Sequence, residues 1–369
     1  MLLRPSCLTL HAHGVTREST RHSMVHSGLT KLSMRLSVCS QQSRNPPTRA
    51  SVVSVFHNPP DGESLTYSVE RRNSYVSPSV TMTAIDAAIH ETFKICPLVL
   101  INIKTGLLCD GPYRIRIFKA DPAFKELVSS MTEELDENCI LQVVSGYFRH
   151  VTFSHTWEGK EPSFQEVNVV KSVWVLRPSP LNDKLRTFCE MVRDDGYRWA
   201  WSDTCCIDKS TSTLFSRSLV SMYQWYEESA ATLALLVGVP SPSLPGDLAN
   251  SLWMTRAWTL LELLASKVIR FYDSEWKPYL NDTRTNHKDS PVIVQELANA
   301  LGVAPEIITK FRPGALGVRE VLRLASTRAV TVEEDVAYSL IGVFASDLRP
   351  NYGEGEAALG HLLEEILIR

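Results

Sequence analysis

The strongest constraint on the fold is an alternation of short apolar runs with amphipathic segments along the middle of the chain. Four runs have the length of strands, at 147–155, 198–207, 232–239 and 268–272. The segments between them have helical spacing, as where Leu219, Met222 and Tyr226 fall on one stripe. Strands separated by helices are typical of a parallel sheet with right-handed crossovers. The sequence therefore predicts an α/β fold.

Shorter segments flank this pattern on both sides. Residues 97–102 and 113–117 read as strands, the second with period-two alternation, and they predict a small α/β lead-in region over 95–146. The far end of the chain reads as helical. There Thr331 and Glu334 fit a capping box that would open a helix. We expect one domain over 147–369, with a helical C-terminal extension.

Residues 1–80 differ in composition from the remainder. They are rich in Ser, Thr, Arg and His, and up to Pro60 the only acidic residue is Glu18. So polar a tract cannot offset the entropy lost on ordering, and we expect it to be disordered. A mitochondrial transit peptide and an extension of the gene model are the alternatives.

Composition excludes several classes of protein. The formal net charge of -3 gives no reason to expect sequence-independent binding of nucleic acid. No apolar run reaches the roughly 18–20 residues of a membrane helix. The eight cysteines are scattered without a zinc-binding spacing, which favours reduced thiols and predicts no metal site. We expect a soluble, cytoplasmic protein.

The candidate site follows from the predicted sheet. Ligands of parallel sheets lie beyond the carboxyl ends of the strands. One predicted strand ends in a polar cluster with Ser154, His155 and Trp157, and another ends with Asp203 and Asp208. If these strands are adjacent and parallel, the two clusters share one rim.

Glu262 is the other candidate, because it is a single carboxylate within the apolar and aromatic stretch 251–264. The alternative for Glu262 is a structural carboxylate in a tertiary salt bridge. Ser154 and Asp203 also have structural alternatives, as a strand-end hydrogen-bonding residue and a loop-organising cap. His155 with Cys205 or Cys206 would form a nucleophilic dyad, although adjacent cysteines at a strand end are more often small core residues.

Five segments resemble, in order, the blocks of fungal heterokaryon incompatibility (HET) domains. They are VTFSHTWE at 151–158, WSDTCCIDK at 201–209, the segment 253–265, the segment 333–344 and YGEGEA at 352–357. His155 stands where the family usually has Tyr, Glu158 occupies the position before Gly159, and Ala257 replaces a Gly. The resemblance covers about 147–369.

The resemblance carries implications for fold and chemistry. HET domains are distantly similar to TIR domains, which have a flavodoxin-like parallel sheet and in many members cleave NAD+. The segment WTLLEL at 258–263 resembles the TIR block whose Glu is catalytic, which implies a catalytic Glu262. Ser154 would border the ligand. His155, Trp157, Asp203 and Asp208 complete the predicted ligand-binding set.

The function that the resemblance implies is cell death in vegetative incompatibility, that is, self/non-self recognition, or in innate-immune-like signalling. The expected partners are a second copy of the chain or another incompatibility protein. NAD+ would be a substrate, and no cofactor is expected. The rival hypothesis is a non-enzymatic module that signals by self-association.

Overall fold

Four of the six strands of the sheet are parallel in the computed structural model, which describes residues 75–368. The strands are β1 (Val99–Asn102), β2 (Leu108–Asp110), β3 (His150–His155), β4 (Trp199–Trp201), β5 (Ala231–Leu235) and β6 (Ile269–Tyr272). Their order across the sheet is β2-β1-β4-β3-β5-β6. The hairpin of β1 and β2 joins the sheet because β1 pairs antiparallel with β4. The predicted α/β class is confirmed.

Helices precede the sheet, connect its strands and continue after it. The α-helices among the described residues are α1 (Pro78–Ile95), α2 (Gly111–Ala120), α3 (Pro122–Ser130), α4 (Glu137–Phe148), α5 (Phe164–Val170), α6 (Pro180–Asp194), α7 (Ser212–Glu227), α8 (Leu252–Thr255), α9 (Ala257–Ala265), α10 (Pro291–Leu301), α11 (Pro305–Lys310), α12 (Val318–Ser326), α13 (Asp335–Tyr338) and α14 (Ala357–Ile368). The last five form the predicted helical C-terminal part. None of the described helices is long and apolar enough to cross a bilayer.

The order of the parallel strands has a consequence for ligands. The parallel strands β3, β4, β5 and β6 lie across the sheet in the order β4, β3, β5, β6. The first four strands of a flavodoxin-type sheet have the same order, with the second strand of the chain outside the first. The chain leaves β3 toward β4 on one side and later places β5 on the other. This switch point, outside the carboxyl end of β3, is where ligands of such sheets lie. The similarity to TIR domains themselves remains a prediction.

Burial explains why β3 holds the central position. All six of its residues are buried, as expected for a parallel strand with helices on both faces. The main core includes Trp199 and Trp201 of β4 and Phe188 of α6. A second apolar cluster lies among α1 to α4 and includes Ile85, Phe118 and Phe148.

The predicted strand at 113–117 is wrong, because these residues lie within α2. Asp110 caps this helix by accepting a hydrogen bond from the Tyr113 amide at 2.8 Å, and Pro112 stands in the first turn, where proline is tolerated. Arg114 and Phe118, four residues apart, are the buried residues of the helix. The alternation that suggested a strand is therefore incidental.

The capping box at Thr331 is also wrong. The Glu334 side chain accepts hydrogen bonds from the amides of Gly353 and Gly355, at 2.8 and 3.1 Å. The Thr331 hydroxyl accepts instead from Arg256, at 3.0 Å. A contact with a distant turn has replaced the local one, and α13 begins without a side-chain cap.

The predicted tract 1–80 lies outside the described residues except for its last six positions. Within these, Ser77 caps α1 by accepting a hydrogen bond from the Val80 amide, and Pro78 is the first helical residue. The helical part of the chain therefore begins before residue 80.

Gly342 and Gly360 offer a matched test of the packing around Tyr223 of α7. A methyl group on Gly342 would overlap the Tyr223 Cβ and lie 2.8 Å from its Cγ, whereas Gly360, in α14, has no neighbour within 4 Å. We expect Gly342→Ala to lower the free energy of unfolding by about 1–3 kcal/mol. Gly360→Ala should raise it by roughly 0.5–1 kcal/mol, because glycine disfavours helix. Urea unfolding measures both, and equal effects of the two substitutions would contradict the packing described.

Candidate functional site

Ser154 lies at the carboxyl edge of the sheet, on β3 between β4 and β5. It stands opposite Ala234 of β5, and Thr152 stands opposite Trp201 of β4. Because side chains alternate along a strand, Thr152 and Ser154 lie on one face of the sheet and Phe153 and His155 on the other. The strands that end near Ser154 and Asp203 are therefore adjacent and parallel, which is the condition for a shared rim.

Glu262 lies against Ser154. It belongs to α9, where seven further residues are also buried, and the Glu262 residue is itself only 5% exposed. The Ser154 hydroxyl donates a short hydrogen bond to the Glu262 carboxyl group. The indole N–H of Trp253 donates in turn to the Ser154 oxygen, at 2.7 Å. Ser154 thus orients the carboxyl group and is itself held by Trp253.

Tyr226 completes the immediate surroundings of the carboxyl group. Its hydroxyl donates to the Phe153 carbonyl oxygen at 3.1 Å and also hydrogen-bonds with Glu262. A buried tyrosine hydroxyl needs such partners, because an unpaired polar group in the interior is unfavourable. The polar groups therefore form a continuous network at the end of β3.

Burial governs the charge state of Glu262. Loss of hydration raises the pKa of the Glu262 carboxyl group to about 8, and repulsion from Asp203 adds to this effect. The hydroxyl groups of Ser154 and Tyr226 and the charge of Arg328 act in the opposite direction. The carboxyl group is therefore mainly protonated at neutral pH. A buried acid of this kind is suited to general acid–base chemistry.

Asp203 lies at the more exposed part of the same edge, beside Trp157. The Trp157 indole N–H donates to the Asp203 carboxylate at 3.0 Å. Burial raises the pKa of Asp203 to about 6, against the charge of Lys209. The Lys209 ammonium lies 3.7 Å from the centre of the Trp157 ring, and Trp157 is 48% exposed. This rim is open to a ligand in solution, whereas Glu262 is covered.

His155 lies on the opposite face of the sheet from Ser154. Its ring stacks on Phe153, with 4.1 Å between ring centroids, and lies beside the buried ion pair of Lys184 with Glu161. Burial, followed by the charge of Lys184, holds the pKa of His155 well below its usual range. His155 is therefore neutral and does not face Glu262.

The remaining sequence candidates lie apart from this network. Asp208 organises its own loop, since its carboxylate accepts from the Ser210 amide at 3.0 Å and from the Gln165 side chain at 2.8 Å. Cys205 is buried, and its hydrogen bond with Cys206, together with burial, raises the pKa of its thiol. A thiol that stays protonated is a poor nucleophile.

Arg328 is the group at this site that sequence reasoning did not select. Its charge acts on Glu262, and it is 9% exposed. It lies two residues beyond the end of α12 and outside the recognised motifs, so no pattern pointed to it. Tyr226 was predicted only on the apolar stripe of a helix, and Trp253 was not selected, yet the polar atom of each joins this network.

Two open depressions, of about 380 and 400 Å³, lie elsewhere on the described residues. The first is lined by residues such as Tyr75, Met82 and Phe124, and the second by residues such as Asp86 and Lys119. Neither is lined by the groups around Glu262. We rank the Glu262 network above both, because it combines convergent polar side chains with a perturbed pKa.

Comparison with known proteins agrees with the sequence motifs. Residues 150–246 match the family model of the heterokaryon incompatibility protein (HET). A stretch of 228 residues is 31% identical to the vegetative incompatibility protein HET-E-1 of Podospora anserina. This match covers 59% of the chain but 16% of the relative, so the chain spans about one sixth of that protein's length. No solved structure matches the chain.

The charge state of Glu262 predicts a pH dependence of stability. Its pKa is about 8 in the folded protein, and an unfolded Glu has a pKa of about 4.3. Between about pH 4.3 and 8, Glu262 keeps its proton in the folded protein but releases it in the unfolded chain. The stabilisation by protonated Glu262 is therefore complete below about pH 4.3 and is lost as the pH rises to about 8.

We expect Glu262→Gln to remove this dependence. The stability of the wild type relative to the variant should fall by roughly 3–5 kcal/mol between the two ends of that window. Urea unfolding of both proteins over the pH range measures the difference. A difference that stays constant with pH would show that Glu262 titrates normally.

Proposed function

We propose that this chain, which carries a heterokaryon incompatibility (HET) domain, is a cytoplasmic effector that triggers cell death in vegetative incompatibility or in related immune signalling. The support is the family match over 150–246 and the similarity to a protein named for vegetative incompatibility. The expected partners are a second copy of the chain or another incompatibility protein.

The proposed chemistry is hydrolysis of NAD+ at Glu262. The observation that carries it is the buried Glu262 carboxyl group, held by the Ser154 hydroxyl at the switch point of a parallel sheet. In this reaction the bond between the ribose C1′ and the nicotinamide nitrogen breaks, and its electron pair goes to nicotinamide. A water molecule adds to C1′ and releases one proton. The products are nicotinamide and ADP-ribose.

One carboxylate is sufficient for this step. The nicotinamide ring is already cationic in NAD+, so its departure needs no proton from a general acid. The transition state has oxocarbenium character, and a fixed carboxylate in a site of low polarity stabilises that positive charge. The surroundings of Glu262 meet this condition, because Ser154 and Tyr226 fix the carboxyl group and burial excludes water.

The raised pKa of Glu262 fits a site that is charged only when occupied. In the free protein the carboxyl group is mainly protonated at neutral pH. A cationic nicotinamide beside it favours the ionised form, because an opposite charge lowers a carboxyl pKa. Binding of NAD+ would thus generate the carboxylate that the reaction needs. Trp157 and Asp203, at the exposed rim, would contact the rest of the ligand.

A non-enzymatic module is the second candidate, and one observation favours it. Glu262 is 5% exposed, so in the described conformation a substrate cannot reach it unless the covering segments move. If they do not move, the network around Glu262 is a structural core feature. The chain would then act by self-association or by recruiting a partner.

Assay of NAD+ loss by the purified chain separates the two candidates. We expect nicotinamide and ADP-ribose to form, and Glu262→Gln to reduce the rate at least about 100-fold, because it removes the group that stabilises the transition-state charge. Glu356→Gln is the matched control, since Glu356 is exposed on the loop before α14. Circular dichroism should show that both variants fold.

Cell killing provides the second readout of the same variants. We expect Glu262→Gln to lose toxicity together with NAD+ consumption, while Glu356→Gln retains both. If wild-type protein consumes no NAD+ at any concentration, including those at which it self-associates, and Glu262→Gln still kills, the hydrolase proposal is wrong and the signalling module is favoured.

A further inference from the structure

Only part of the Arg328 guanidinium group has hydrogen-bond partners among the described residues. Its Nη1 atom donates to the Arg256 carbonyl oxygen at 2.8 Å and to the Thr259 hydroxyl at 2.9 Å. Its Nε and Nη2 atoms are buried and have no hydrogen-bond partner among the described residues. These two atoms form the edge of a guanidinium group that binds two oxygen atoms of one anion at once.

Burial makes the unsatisfied edge a feature that needs an explanation. Arg328 is 9% exposed, and an unpaired charged donor in the interior is strongly unfavourable. Glu262 is close enough for its charge to act on Arg328, yet its carboxyl group is bonded to Ser154 and is mainly protonated at neutral pH. The positive charge of Arg328 is therefore left without a bonded anion.

The hydrogen bonds of the Nη1 atom place Arg328 at the N-terminus of α9. Arg256 is the residue that precedes this nine-residue helix, and Thr259 lies in its first turn. No side chain caps the helix. The N-terminus of a helix carries partial positive charge and favours an anion. Since Thr259 and Glu262 are three residues apart, the site lies one turn from the carboxyl group.

We propose that Arg328 and the N-terminus of α9 form a binding site for a phosphate group. The fork of Nε and Nη2 would bind two phosphate oxygens, and a third oxygen would face the helix N-terminus. Phosphate fits better than carboxylate because it has the additional oxygen for the second positive element. The site does not depend on NAD+ hydrolysis and would serve free phosphate or the phosphate of a nucleotide.

Access to the buried edge involves the segment that carries Arg328. Its neighbours Thr327 and Ala329 are exposed, and the Ala329 carbonyl accepts a hydrogen bond from the Ala257 amide at 3.1 Å. This contact occupies one of the first amides of α9. Movement of the Ala329 peptide would release that amide to the anion, while the bonds of Nη1 keep Arg328 in place.

Calorimetric titration with inorganic phosphate tests the site. We expect saturable binding by the wild type that Arg328→Lys weakens at least about 10-fold, because lysine keeps the charge but lacks the two-donor edge. Arg319→Lys should bind as the wild type does, since Arg319 is exposed on α12. Absence of saturable binding to the wild type, equal binding by Arg328→Lys, or binding of acetate but not phosphate would overturn the proposal.

Hydrogen exchange tests the site without a variant, in case Arg328→Lys does not fold. Phosphate, compared with chloride at equal ionic strength, should protect residues 256–259 and 326–333. Protection elsewhere, or none, would contradict the site. Competition of ADP with phosphate would support a nucleotide as the source, and binding of phosphate alone would support the free anion.

A further measurement tests the phosphate site independently of the proposed NAD+ hydrolysis. Glu262→Gln should still bind phosphate, because the fork and the helix N-terminus remain. Retained phosphate binding in a protein that never consumes NAD+ would support the anion site and reject the hydrolase. If the wild type consumes NAD+ but Arg328→Lys binds phosphate as tightly as the wild type does, the hydrolase would be supported and the anion site rejected.

Discussion

The hydrogen bond between the Ser154 hydroxyl and the Glu262 carboxyl group is the interaction on which the site depends. It joins the end of β3 to the buried helix α9, and the indole N–H of Trp253 donates to the same Ser154 oxygen. Without a partner of this kind, a carboxyl group so deeply buried would be strongly destabilising. Burial keeps Glu262 protonated and away from water, and the hydrogen bond with Ser154 sets the orientation of its carboxyl group.

The four-stranded part of the sheet, β3 to β6, could be predicted because these strands are parallel and buried. Such strands read as short apolar runs, and the polar residues that end them mark the carboxyl edge. The shared edge of Ser154 and Asp203 was predictable for the same reason, because β3 lies beside β4. Resemblance of the segment 258–263 to a TIR block added the choice of Glu262 among many carboxylates. Its catalytic role remains a proposal.

Other features depend on contacts that no local pattern contains. The segment 113–117 alternates like a strand, yet the Asp110 cap and Pro112 start a helix there. Glu334 has the spacing of a capping box but bonds to a turn about twenty residues away. His155 follows Ser154 directly and faces the opposite side of the sheet. Arg328 belongs to none of the motifs recognised in the sequence, so only its position in the folded chain reveals it.

The most direct test of the account is infrared spectroscopy of the carboxyl groups across the pH range, with Glu262→Gln as the reference. The difference spectrum should show the carbonyl band of a protonated carboxyl group at about pH 7, converting to a carboxylate band as the pH passes about 8. A carboxylate band already complete at about pH 6 would contradict the account, because Glu262 would then be ionised and not held as a buried acid.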